Sequence, residues 1–175
     1  RDAKIINDTT YLNEDNTITI EITLEEGEPY LFGDVSFVGN TRYTNEELSS
    51  QLGIDKGDVF NQSILDSRLF DSQEGTDISS LYLDDGYLFF NANPIEIATN
   101  NNTIDIDVRL YEGEQARLNK ISVQGNTKTQ DHVIMRELRT RPGDLFKRSD
   151  IMRSQRELAQ MQYFDPEAFD VKIDP

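Results

Sequence analysis

Cysteine is absent from the 175 residues, which removes a disulfide frame, a thiolate zinc site and a cysteine nucleophile together. Histidine occurs once, as His132 near the expected start of a helix, with no nucleophile elbow and no second histidine to give it a role. No glycine-rich loop leads into a helix with the lysine a phosphate site needs. Acidic pairs such as Asp84 with Asp85, or Glu25 with Glu26, lack the spacing of a calcium loop and read as solvated turn charges. These absences point away from an enzyme, and no cofactor or metal is expected. No apolar run approaches the roughly 20 residues that a membrane-spanning helix needs.

Positive charge is also scarce, with 17 Lys and Arg against 33 Asp and Glu and a net charge of −16. A chain of this sign repels polyanions, so nucleic acid is not an expected partner. The balance is uneven, however. Ten of the 17 basic residues lie between positions 117 and 156, a segment of net +6 in a chain whose remainder is −22. Arg136, Arg139, Arg141, Arg148, Arg153 and Arg156 form the centre of this patch, which reads either as a solvated surface or as a face toward anionic lipid head groups or an acidic partner.

What the chain does have is a repeat. TITIEITLEEGE at 17–28 returns as TIDIDVRLYEGE at 103–114, VSFVGNT at 35–41 returns as ISVQGNT at 121–127, and GDVF at 57–60 returns as GDLF at 143–146. The offset is 86 residues throughout, with 15 identities in 44 ungapped positions. That period exceeds the rungs of stacking repeats and marks a small domain.

Each copy has readable elements. Ile18, Ile20, Ile22 and Leu24 alternate with polar residues, which predicts a strand with one buried face; Ile104, Ile106, Val108 and Leu110 repeat the pattern. Residues 32–38 predict a further strand, closed by Gly39 and Asn40. Thr44 with Glu47 forms a capping box ahead of Leu48 and Leu52, and Gly53 ends that helix. A second helix is expected from Asn61, interrupted at Gly75 and resumed at Ile78, Leu81 and Tyr82 until Gly86. Residues 87–99 and 103–112 predict a strand pair around a turn at 100–102. The expected fold is α+β, in the order β-α-α-β-β, with two helices on one face of a three-stranded sheet.

The strands ending in GNT, RPGDLF at 141–146, LYLDDGY at 81–87, the closing EGE and QYFDP at 162–166 resemble POTRA domains. These are the periplasmic modules that precede the membrane barrel in outer-membrane β-barrel assembly proteins of the BamA type. On that phasing residues 1–28 are the closing hairpin of a preceding module, 29–114 a complete module, and 115–175 a module lacking its last strand. The chain is then a fragment of a larger membrane protein, at the periplasmic face of the outer membrane. A short join between modules, with no Gly/Ser linker, predicts a semi-rigid arm.

The resemblance implies a mixed sheet in which the strand after the second helix lies at an edge. Leu88, Phe89, Phe90, Ala92, Ile95 and Ile97 are the expected client-binding residues of that strand, to which an unfolded barrel protein adds a strand of its own. Pro94 fits an edge position. Tyr82, Tyr87 and Tyr163 read as packing residues with a hydroxyl in water. Accessory assembly lipoproteins are further expected partners. The arm of a secretion or translocation barrel, or a purely structural spacer, are the alternatives. Finally, the strand around 17–25 is expected to pair with the last module of a neighbouring chain, because apolar sheet edges invite such pairing.

Overall fold

The computed structural model describes residues 2–70, 72, 75–126, 128–161 and 170–174. Strands β1 (Lys4–Leu12) and β2 (Ile18–Glu25) form an antiparallel hairpin. The alternation in β2 is real, and Leu24 and Ile18 face Ile5 and Leu12 across the ladder. The face is not buried, contrary to expectation: Leu12 is 73% and Ile20 64% exposed. No helix of the described residues lies over it, so the pattern makes an apolar face without a cover.

The complete unit begins with β3 (Leu31–Val38) and continues through α1 (Asn45–Leu52), α2 (Gln62–Phe70) and α3 (Ile78–Asp84) to β4 (Asn91–Asn100) and β5 (Thr103–Tyr111). Its sheet has the order β3-β5-β4, with β3 parallel and β4 antiparallel to the central β5. The inward residues of β5, Ile104, Ile106 and Val108, are fully buried against Leu48, Leu52, Leu65 and Leu69 of the helices. Each such side chain contributes about 1.5–3 kcal/mol by leaving water. The fold is therefore α+β with helices on one face of a mixed sheet, as expected. The second predicted helix is two, α2 and α3, separated around Gly75 at φ 68°.

Local chemistry explains the boundaries. The Thr44 hydroxyl accepts from the Glu47 amide at 3.3 Å, while the Glu47 carboxylate accepts from the Thr44 amide at 2.8 Å. Asn61 accepts from the amides of Ser63 and Ile64 to cap α2. The buried carboxylate of Asp77 accepts from Ser80 to cap α3. Asn101 and Asn102, at φ 48° and 59°, make the tight turn between β4 and β5.

One carboxylate ties the unit together. Glu112, just past β5, accepts the amides of Thr41 at 2.8 Å and Arg42 at 3.0 Å, the Tyr82 hydroxyl at 2.9 Å, and the Thr41 hydroxyl. It thereby joins the turn after β3, helix α3 and the end of β5. Gly39 opens that turn at φ 93°, and a Cβ there would meet the Leu110 carbonyl oxygen at 2.3 Å, so only glycine fits. Tyr82 is wholly buried, and its hydroxyl meets Glu112 rather than water as expected. Burial alone pushes the Glu112 carboxyl up, but the hydrogen bonds from Thr41, Arg42 and Tyr82 together hold it below the usual carboxylate range. Burial and the Glu112 contact push the Tyr82 phenol up.

The second unit repeats the frame. The amide of Phe32 donates to Asp58 and that of Leu118 to Asp144; Gly57 donates to Phe32 and Gly143 to Leu118; Phe60 donates to Tyr30 and Phe146 to Ala116. Every pair is 86 residues apart. Asn40 bonds the Tyr43 carbonyl and Asn45, and Asn126 bonds the Thr129 carbonyl and Asp131 in the same way. Helices α4 (Asp131–Met135) and α5 (Arg148–Gln160) follow. The strand expected to end in the second GNT is not formed: residues 118–124 belong to no ladder, and only Arg117 bridges to Leu145. A strand needs a partner, and residues 118–124 pair with none among the described residues. Thr127, Tyr163 and the QYFDP run fall outside the described residues.

Because the folded carboxyl of Glu112 titrates below its unfolded value, its contribution is present at neutral pH and lost as pH falls through the folded value. Glu112→Gln is expected to cost about 2–4 kcal/mol at pH 7 and to flatten the acid limb of stability. Urea unfolding at a series of pH values checks both.

Candidate functional site

The site follows from the strand order. With β5 in the centre, β4 has a neighbour on one flank and, among the described residues, no strand on the other. The sheet face away from the helices is polar: Asp107 of β5 accepts from Ser36 at 3.2 Å and lies 3.5 Å from Arg109. Apolar contact at this site therefore comes from the strand margin.

The six predicted edge residues separate into groups. Leu88, Phe89 and Phe90 precede β4 and are not in it, because the chain first makes a tight turn: Leu88 donates to Gly86 at 2.9 Å and Phe90 to Tyr87 at 3.0 Å. The Phe90 ring stacks on Tyr82 at 4.1 Å, which makes it core. Phe89 remains 54% exposed beside Gly113 and the exposed Tyr111. Ala92 points into the core, and Ile95 is half-buried. Ile97 is 57% exposed and is the extra residue of a bulge, since Glu96 pairs with Ile106 and Ala98 with Asp105. The bulge was not legible in the sequence. Pro94 lies within β4 opposite Val108.

The basic patch divides likewise. Arg139 grips Glu157 with its Nε and Nη2, the closest contact being 2.7 Å, and Arg136 pairs with Glu137 at 2.8 Å. Arg139 is held above its ordinary range by Glu157, and Glu157 below its own by Arg139. Arg141, Arg153 and Arg156 are exposed, and Arg148 is half-buried at the first turn of α5. Arg153 and Arg156, three apart on α5, share a face.

The join between units is a further structural site. Asp84, at the end of α3, accepts from the Ser149 amide at 2.7 Å in the first turn of α5, whose own N-cap residue Lys147 makes no side-chain cap bond. Gln115 donates to the Asp85 carbonyl and the Ala116 amide to the Gly86 carbonyl, both at 2.8 Å. A Cβ on Gly86, at φ 91°, would come within 2.7 Å of the Leu145 side chain. Asp85 also pairs with Arg42 at 2.5 Å. Of the acidic pair read as solvated turn charge, Asp84 thus fastens the two units and the Asp85 carboxylate pairs within its own unit, through contacts too distant in sequence to be foreseen. Among the described residues no acidic or histidine cluster suits a metal.

Helices on one face of a mixed sheet, an open strand margin and a hydrogen-bonded frame repeated 86 residues on define a class: tandem α+β modules with a bare sheet edge. The family model described as Surface antigen variable number repeat, the POTRA family, matches residues 30–113 and 116–175. The chain belongs to the POTRA family. It is 29% identical to the outer membrane protein assembly factor BamA of Nitratidesulfovibrio vulgaris, over 86% of this chain and 19% of that protein. It is also 29% identical to BamA of Neisseria meningitidis serogroup B, over 97% of this chain and 21% of that protein. The chain spans about a fifth of the length of these relatives. A crystal structure of Haemophilus influenzae BamA POTRA3-5 superposes with a TM-score of 0.68 at 20% identity, over 94% of this chain and 63% of that one, which supports the fold. These are POTRA domains of the BamA type.

Replacing Asp84 with alanine is expected to uncap α5 at a cost of about 1 kcal/mol and to widen the range of angles between the units. Small-angle scattering of D84A beside the parent chain reads the second effect, and thermal unfolding the first.

Proposed function

We propose that this chain is the periplasmic POTRA segment of an outer-membrane protein assembly factor and is not an enzyme. It receives unfolded β-barrel proteins at the free margin of β4, docks accessory assembly subunits, and turns the exposed arginines Arg141, Arg153 and Arg156 toward anionic head groups or an acidic partner. The observation that carries the reading is the position of β4 at the edge of its sheet. A client that adds a strand there satisfies backbone groups irrespective of its side chains, so many sequences are accepted. Ordering a flexible client offsets most of the gain, and affinities fall roughly in the micromolar to millimolar range. That suits a handler that must let go. The bulge at Ile97 and the proline at position 94 interrupt the margin, which limits indiscriminate pairing.

A second reading, a spacer that fixes the distance between a barrel and its accessory subunits, draws on the Asp84 to Ser149 and Gln115 to Asp85 bonds that fasten the units. One variant separates the two. Ile97 is the exposed extra residue of the β4 bulge, outside the paired register with β5, so Ile97→Pro alters the margin at a position that pairs with no β5 residue. Titration of labelled barrel-strand peptides is expected to show binding weakened about fivefold or more at unchanged melting temperature. Unchanged binding leaves the spacer.

A further inference from the structure

Of the 10 glycines in the chain, Gly86 alone follows an aspartate or an asparagine. Such a bond is chemically weak, because the glycine has no side chain to keep its backbone nitrogen from attacking the carboxyl carbon one residue back. Changing either member would remove the weakness, but the structure fixes both. Gly86 sits at φ 91°, and a Cβ on it would lie 2.7 Å from the Leu145 side chain of the next unit. Asp85 is fixed by its partners, the Arg42 Nε at 2.5 Å and the Tyr43 hydroxyl at 3.4 Å. We propose that Asp85 is a spontaneous modification site, which isomerises through a succinimide when the join between units opens locally.

The atoms balance with water alone. The Gly86 nitrogen bonds to the Asp85 Cγ, and the hydroxyl of the protonated carboxyl leaves with the amide proton as water, closing a five-membered ring. A second water then opens the ring at either carbonyl. Opening at Cγ restores aspartate; opening at the α-carbonyl leaves isoaspartate, with Cβ inserted into the main chain and a free α-carboxylate beside it.

That product undoes the join. Arg42 then faces a neutral amide in place of a carboxylate, and the carbonyl that accepts from Gln115 at 2.8 Å becomes a charged group off the main chain. The added methylene also displaces the Gly86 carbonyl, which accepts from the Ala116 amide at 2.8 Å.

The folded geometry holds the reaction back. Ring closure needs the Gly86 nitrogen eclipsed with Cβ about the Cα–C bond of Asp85, whereas at ψ 14° it is nearly eclipsed with the nitrogen of Asp85 itself. Arg42 and Tyr43 hold the carboxylate and Gln115 holds the carbonyl, so neither half rotates until those bonds break. The rate therefore follows local opening rather than global unfolding.

The full chain is incubated at neutral pH and physiological temperature, and isoaspartate is read by isoaspartyl methyltransferase labelling and placed by electron-transfer fragmentation. It is expected to build up at residue 85, and in a chain held in urea about tenfold faster or more. R42A is expected to speed the folded chain about two- to fivefold; its fold is kept because Arg42 reaches Glu112 through its backbone amide. R42K is expected to restore the parent rate and D85E to abolish the signal. A urea-held chain that stays unmodified, no isoaspartate at residue 85 of the folded chain once the urea-held chain has converted, equal rates in R42A and the parent, or R42K as fast as R42A overturns the proposal.

Discussion

The Glu112 carboxylate is the constraint on which the unit depends. Sheet and helices each form from local pattern, but nothing in the pattern fixes how the turn after β3 meets α3 and the end of β5. A single buried acceptor does so, because the Thr41 and Arg42 amides and the Tyr82 hydroxyl have converged on it. With four donors the charge is satisfied in its ionised form, and burial costs less than the bonds return. The aromatic packing organises around the same point: Tyr82 meets Tyr43 edge-on at 5.0 Å and stacks on Phe90. Fixing Phe90 in that stack ends the turn after α3 and delivers β4 to its edge position.

The edge and the join are thus coupled. The residues between α3 and β4 hold the Phe90 stack on one side, and on the other the Asp85 and Gly86 carbonyls accept from Gln115 and Ala116 of the next unit. The chain's electrostatics are graded along the length, from an acidic hairpin to a basic last unit, and several of the arginines in that unit are already balanced by Glu137 and Glu157.

Much of the fold was legible because it rests on local chemistry. The capping box at Thr44, the cap at Asn61 and the interruption at Gly75 all follow from short-range pattern, whereas the edge position of β4 came only from the family resemblance. The strand start at Asn91 was not legible, since Leu88, Phe89 and Phe90 have ordinary strand composition and only the distant Tyr82 ring pulls Phe90 into a turn. The roles of Glu112 and Asp84 depend on partners about 70 residues away, which no window of sequence contains. Alternation in β2 reported an apolar face correctly, and burial wrongly, because burial depends on what lies opposite.

The parallel pairing of β3 with β5 carries a kinetic consequence. Phe32 meets Ile104 only after the whole intervening segment has been made, so the first strand of the unit waits for its last. Non-local, parallel contacts close slowly. A chain delivered from its N-terminus therefore passes through an interval in which three helices are ready and the central strand has yet to arrive. In that interval β3 offers an unpaired margin of its own.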